Sequence, residues 1–173
     1  AGEMAERLAV LLGGSAAGVT IKTFHAFAAQ LLHQSAGNEL VPLDFTICSE
    51  EEQFDLLRTL LPEASERQVK QTLAQISSAK NQLQTPAEVS DPALAAIYLR
   101  YQQALRSNAL LDFDDLLFVS VQLLQTNAEF LRQVQERYRW ISVDEYQDIN
   151  LVQYKLLRLL TAQGFFFNAT ATP

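Results

Sequence analysis

Arg139-Trp140-Ile141-Ser142-Val143-Asp144-Glu145-Tyr146-Gln147-Asp148-Ile149-Asn150 is the stretch that decides how the chain is read. Its apolar run predicts a buried strand, and the strand stops on two adjacent carboxylates. In an open α/β sheet the C-terminal strand ends form the rim where ligands bind, so Asp144 and Glu145 are placed to meet one. There the first carboxylate can hold a hydrated magnesium ion bridging nucleotide phosphates, and the second can accept a proton from an attacking water. For these residues alone, a strand ending in an ordinary surface turn is the alternative.

Outward from that stretch the chain is mostly helical. Asn150 predicts the cap of a helix to about 162, and Phe165-Phe166-Phe167 a further strand. Upstream lies a helix near 127–137. Before it, Asp112 caps a helix to about 125 that is apolar nearly all round at Phe113, Leu116, Leu117, Phe118, Val119 and Val121, which implies burial on most sides. Asp112 is read as a cap, with Asp114 and Asp115 as solvated neighbours rather than a metal cluster. Ser49 and Glu52 have capping-box spacing and predict a helix to about Leu61, followed by Pro62. Val69, Leu73, Ile76 and Leu83 mark one face of the next helix, and Asp91-Pro92 opens another over 92–107. Residues 49–108 thus read as all-helical.

At the other end, a helix over 3–12 stops at Gly13-Gly14, residues 13–18 form a turn, Val19 to Thr23 read as a short strand, and a helix follows over 24–35. No Gly-Lys-Ser/Thr closes the glycine-rich turn into a phosphate loop. The expected fold class is α/β and helix-dominated, a partial parallel sheet interrupted by an all-helical insert. The expected division is 1–45, then the insert at 46–110, then 111–173.

Composition narrows the class. The 173 residues amount to about one domain, with 49% apolar residues and a single cysteine, Cys48. That excludes a disulfide framework and a cysteine-based metal cluster, and makes a reducing cytoplasm the simplest compartment. No apolar run approaches the roughly 20 residues that span a bilayer, so no membrane segment is expected. The net charge of −7 does not suggest nucleic acid, but its layout is uneven. Residues 39–63 set seven acids against Arg58, residues 64–109 five bases against three acids, and residues 110–150 eight acids against three bases. The middle block is the candidate polyanion-facing surface and the last the candidate cation site, with ordinary solvated faces as the alternative for each.

Several motifs share one resemblance. Asp144-Glu145-Tyr146-Gln147-Asp148-Ile149-Asn150 resembles motif II of the UvrD/PcrA/Rep family of superfamily-one DNA helicases, whose signature is Asp-Glu-x-Gln-Asp. Thr20-Ile21-Lys22-Thr23-Phe24-His25-Ala26-Phe27 is similar to the family's Thr-Phe-His motif, and Leu111-Asp112-Phe113-Asp114-Asp115-Leu116-Leu117 to the segment where the chain returns from the helical insert. Gly2-Glu3-Met4-Ala5-Glu6-Arg7-Leu8 is similar to the helix after motif Ia, and Ser78-Ala79-Lys80-Asn81-Gln82-Leu83 to a stretch inside the insert. The order is the family's, and the match covers nearly the whole chain.

The resemblance implies a RecA-like motor domain that hydrolyses ATP with Mg2+ and moves three-prime to five-prime on DNA. In that setting Asp144 holds the metal, Glu145 activates water, and Gln147 couples the nucleotide site to the strand-binding side. Thr23 and His25 then face the single strand, as free N–H groups at a strand-to-helix junction suit a phosphate. Phe24 and Phe27 are read as core. Lys70 and Lys80, with Arg67, lie in the basic block; contact with duplex at a junction and a solvated helix face both remain open for them. The family's phosphate loop, its Gly-Asp-x-x-Gln segment and its second motor domain have no counterpart here, since the sequence closes Gly164-Phe165-Phe166-Phe167-Asn168-Ala169-Thr170-Ala171-Thr172-Pro173. The expectation is therefore a portion of a helicase that needs the remaining motor domains of its polypeptide. By itself it is expected to be inactive and to bind single strands weakly, with no tightly held cofactor. A non-enzymatic interaction module and a portion of an AddA/RecB-type helicase–nuclease are the alternatives.

Overall fold

The computed structural model describes residues 19–161 and the backbone of 165–169. The expected helix over 3–12, its glycine stop and the turn at 13–18 lie outside the described residues. Within them the chain is a helix-dominated α/β structure. Its helices are α1 (Phe24–Gln34), α2 (Glu50–Leu60), α3 (Glu66–Asn81), α4 (Pro92–Ser107), α5 (Phe113–Thr126), α6 (Ala128–Arg137) and α7 (Leu151–Thr161). Its strands are β1 (Thr46–Ile47), β2 (Leu110–Leu111), β3 (Trp140–Asp144) and β4 (Phe165–Ala169).

Polar side chains set most helix starts. Ser49 and Glu52 satisfy each other's backbone donors at the head of α2, Ser65 and Gln68 do so for α3, and Asp112 and Asp115 for α5. Asp91 accepts from the Ala93 N–H and Pro92 opens α4. The α3 helix ends earlier than its apolar spacing suggests. Leu83 lies beyond it at φ 60°, while the Gln84 N–H reaches the Ala79 carbonyl and the Leu83 N–H the Lys80 carbonyl. This is a Schellman closure in which leucine occupies the left-handed position usually given to glycine.

Val19 to Thr23 do not form the expected strand. They have no regular structure, and no described strand offers them a ladder. Alternation and β-branching supply propensity, but a strand needs a neighbour to pair its backbone groups. Two short strands that the sequence does not announce form instead. Thr46 and Ile47 pair in parallel with Leu110 and Leu111, which seats the entry and exit of the helical segment side by side.

Two apolar clusters result. One gathers Cys48, Leu57, Val69, Ile76, Tyr98, Tyr101 and Leu105 from α2, α3, α4 and their flank. The other centres on α5, which packs against α1 and α7 and buries Leu116, Leu117, Phe118, Val119, Val121, Leu123 and Leu124. Each of those leucines contributes about 1.5–3 kcal/mol of transfer free energy. Phe113 is the exception to the expectation of all-round burial: at the first turn of α5 it is 54% exposed.

β3 and β4 pair in parallel, from Trp140 opposite Phe165 to Asp144 opposite Ala169. The connection runs through α7, whose Val152, Leu156 and Leu160 are buried in the cluster centred on α5. Parallel strands need such a crossover. Asp144 therefore ends a parallel strand, but not the buried one expected: only Val143 of β3 is buried, and Trp140 is 66% exposed.

Candidate functional site

Asp144 is the last residue of β3, and the chain turns sharply straight after it. Glu145 adopts the left-handed conformation, φ 51° and ψ 42°, at a cost on the order of 1–2 kcal/mol for a residue with a Cβ. Three contacts hold that turn. The Glu145 N–H donates to Asp144 Oδ1 at 3.0 Å, the Asp148 N–H donates to the Glu145 carbonyl at 2.9 Å, and Gln147 Nε2 donates to Glu145 Oε2. Both carboxylates are exposed at the strand end. A short 3-10 turn, Tyr146–Asp148, then leads to Asn150. Asn150 caps α7 by accepting from the Gln153 N–H at 3.0 Å.

This donor set suits a hard cation. Magnesium keeps much of its water and is usually held by one or two carboxylates together with phosphate oxygens. Asp144 carries an exposed carboxylate of that kind at the strand end, and the Gln147 amide donates to the carboxylate of Glu145.

The Thr23–His25 segment meets the N-terminus of α5. Thr23 Oγ1 accepts from the Ala26 N–H at 3.2 Å and so caps α1, leaving its own hydroxyl proton free to donate. His25 stacks on Phe113, with ring centroids 3.8 Å apart and planes 15° from parallel. Burial lowers the His25 pKa, against the opposing pull of Asp114. At neutral pH the imidazole is thus uncharged, able to donate or accept rather than to act as a fixed cation.

Lys80 is not on the surface, and the expectation of a DNA-facing lysine there is corrected. It is 1% exposed, and its Nζ lies 2.5 Å from Asp112 Oδ2 and 2.8 Å from Asp115 Oδ1. Its position explains why. Val69, Leu73, Ile76 and Lys80 repeat at helical spacing, so Lys80 continues the apolar face of α3 into the junction with α5. The Tyr101 hydroxyl donates to Asp112 and Gln102 Nε2 to Asp115. Burial pulls the Lys80 pKa down, but Asp115 and Asp112 together outweigh it and raise it, so the ammonium stays charged. Two carboxylates share one ammonium. The excess charge falls on Asp115, which burial pushes up to about 6 against the opposing pull of Lys80.

Asp112 caps α5, the role read for it, with its Oδ1 accepting from the Asp115 N–H at 2.8 Å. Asp115, however, is fully buried rather than solvated. Asp114 accepts from Asn81 Nδ2 at 2.8 Å. Lys70 is exposed on α3, its Nζ 6.0 Å from the centroid of the Phe54 ring, and Arg67 is exposed one turn earlier.

Residues 1–167 match the family model of the UvrD/REP helicase N-terminal domain. The chain belongs to that family. Among curated proteins it is similar to the ATP-dependent DNA helicase PcrA of Staphylococcus aureus (strain Mu50), with 32% identity over 172 residues, covering 93% of this chain and 24% of the relative. Against PcrA of Bacillus subtilis (strain 168) the identity is 33% over 169 residues, covering 91% and 23%. The chain thus spans about a quarter of the length of the relatives it matches.

The candidate residues fall into two groups. The acid pair with Gln147 stands at the end of β3, while Thr23, His25 and Phe113 gather at the starts of α1 and α5. Phe113 escapes a reading by apolar spacing because it resembles a core position. Its place directly after the cap Asp112, on the first turn where the helix faces outward, is the signal that marks it. Among the described residues no helix is long and apolar enough to cross a membrane.

Proposed function

We propose that this chain is a segment of an ATP-dependent DNA helicase that moves three-prime to five-prime, carrying the carboxylates that handle Mg-ATP and part of the face that grips the tracked strand. The observation that carries this reading is the Asp144–Glu145–Gln147 arrangement at the end of a parallel strand, in a chain of the UvrD/REP family.

Asp144 holds the magnesium ion in this reading, and a bound ion supplies neutralisation of the phosphate oxygens. Glu145 takes the proton of the water that attacks the γ-phosphorus, as the bond to the bridging oxygen breaks and ADP leaves. Gln147 holds the Glu145 carboxylate in one orientation, and so ties its position to the turn that carries it. The left-handed backbone at Glu145 turns that side chain away from the strand direction, a strain of the kind found at functional positions.

Thr23 donates to the backbone of single-stranded DNA, and the His25–Phe113 stack offers a flat apolar face to a base. Lys70, with Arg67 beside it, meets duplex at a junction through phosphate charge alone. The motor portions are 1–45 and 111–173 and the helical insert is 46–110, a division supported by the two separate apolar clusters. The remaining motor domains of the same polypeptide supply the phosphate loop and the rest of the ATP site. The buried free Cys48 suits a reducing cytoplasm.

ATP hydrolysis by the full-length protein, measured with and without single-stranded DNA, tests the reading, together with unwinding of duplexes bearing one three-prime or one five-prime tail. Stimulation by DNA and unwinding only from the three-prime tail are expected. Hydrolysis indifferent to DNA contradicts the helicase reading, and unwinding only from the five-prime tail contradicts the polarity.

A further inference from the structure

Asn81 ends α3, one residue after Lys80, and its amide joins segments far apart in the chain. Its Nδ2 donates to Asp114 Oδ1 at 2.8 Å and to the Ser77 carbonyl at 2.9 Å. Its Oδ1 accepts from Asn150 Nδ2 at 2.6 Å. The two partners stand 33 and 69 positions away. A carboxylate only accepts, so Asp114 fixes which way the Asn81 amide faces and leaves its oxygen for Asn150.

The ends of this bridge reach the two halves of the site. Asp114 follows Phe113, which stacks on His25, and Asp114 also acts electrostatically on His25. Asn150 caps α7 and stands two residues after the 3-10 turn that carries Gln147, which in turn holds Glu145. The bridge itself is mounted stiffly. Lys80 is clamped by two buried carboxylates, and the helix end is closed by the Schellman bonds after Asn81. A side chain whose support is locked in this way transmits displacement rather than absorbing it.

We infer that Asn81 is a positioning residue that couples the Glu145–Gln147 turn to the His25–Phe113 face, so that strand binding and ATP hydrolysis respond to each other through its amide. The inference rests on the helicase reading above. Few side chains do this work: alanine makes neither bond, and aspartate keeps the acceptor but sets a second negative charge against Asp114. Coupling between sites is reciprocal in binding, so both directions should weaken together.

The experiment uses the full-length protein. It compares wild type, Asn81→Ala, Asn81→Asp and Asn150→Ser, the last keeping a good helix cap while deleting the Nδ2 donor. The readouts are the ATP hydrolysis rate with and without saturating oligo-dT, the oligo-dT affinity with and without a non-hydrolysable ATP analogue, and the melting temperature. With Asn81→Ala, the DNA-free rate should stay unchanged, while the stimulation ratio and the nucleotide effect on oligo-dT affinity each fall about five- to tenfold. Asn81→Asp and Asn150→Ser should show the same loss of stimulation. Wild-type stimulation in all three variants overturns the inference. So does an equal fall in the DNA-free and DNA-stimulated rates with a lowered melting temperature, which marks a purely structural residue. A wild-type protein that DNA does not stimulate at all fails the underlying reading instead, and that is seen before any variant is made.

Discussion

Lys80 Nζ lies 2.5 Å from Asp112 Oδ2 inside the protein, and this ion pair fastens the helical segment to α5. With Asp115 at 2.8 Å, the lysine balances only one of two buried carboxylates. Removing its charge leaves both without compensation. Lys80→Met should therefore destabilise the fold by about 3–5 kcal/mol, measured by urea unfolding at pH 7.5.

The same cluster sets a pH dependence. Asp115 has a folded-state pKa of about 6 against an ordinary value of 3.8, so the folded protein holds a proton there that the unfolded chain has lost. Its charge is a cost at neutral pH, relieved as the pH falls from about 6 toward 4. His25 works in the opposite sense. Its lowered folded-state pKa lets the unfolded chain protonate first, so its contribution is lost on acidification below the ordinary histidine range. Urea midpoints between pH 7.5 and 5 should show a Lys80→Met deficit that shrinks with acid. His25→Ala should remove part of the acid-induced loss. A Lys80→Met deficit that grows as the pH falls contradicts this assignment.

Lys70 carries the opposite expectation from Lys80. It is exposed, and its ammonium lies over the Phe54 ring rather than against buried carboxylates. Lys70→Ala in the full-length protein should leave the melting temperature unchanged and lower the slope of log affinity for junction DNA against log salt by about one. An unchanged slope removes Lys70 from the DNA surface.

The stacked pair at the α1 and α5 starts makes a separate prediction. Phe113→Ala deletes a ring that is 54% exposed, so stability should change little. Binding of single-stranded DNA should weaken by about 1–3 kcal/mol, similarly for oligo-dT and oligo-dA, because stacking tolerates every base. Fluorescence anisotropy titrations check it, and undiminished affinity for both oligonucleotides contradicts it.

Much of this architecture is legible in the sequence wherever one residue type has one local job. Ser49 with Glu52, Asp91 with Pro92, and Asp112 each announce a helix start that the structure contains, and the run at 140–143 announces the strand that ends on Asp144. Long-range pairing is where the local signals end. β1 and β2 hold two residues each, too few for any periodicity, and exist only because the two ends of the helical segment meet. Val19 to Thr23 show the converse, alternation without a partner strand among the described residues. Lys80 lies in the last turn of α3, and its burial as a charged group depends on acids more than thirty positions away. The clue was its place on the Val69–Leu73–Ile76 face. Asn81 carries no comparable mark, since nothing local in the sequence tells an amide at a helix end that bridges three elements from one that faces water.

The claim at the centre is that Glu145, held by Gln147 at the end of β3, is the base for ATP hydrolysis. Glu145→Gln in the full-length protein tests it most directly, with hydrolysis in the presence of DNA and nucleotide affinity measured on the same preparation. The substitution keeps size and shape and removes the proton acceptor. Hydrolysis should fall at least about 100-fold, in line with the loss of a general base, while ATP still binds. A variant that hydrolyses ATP at the wild-type rate contradicts the claim.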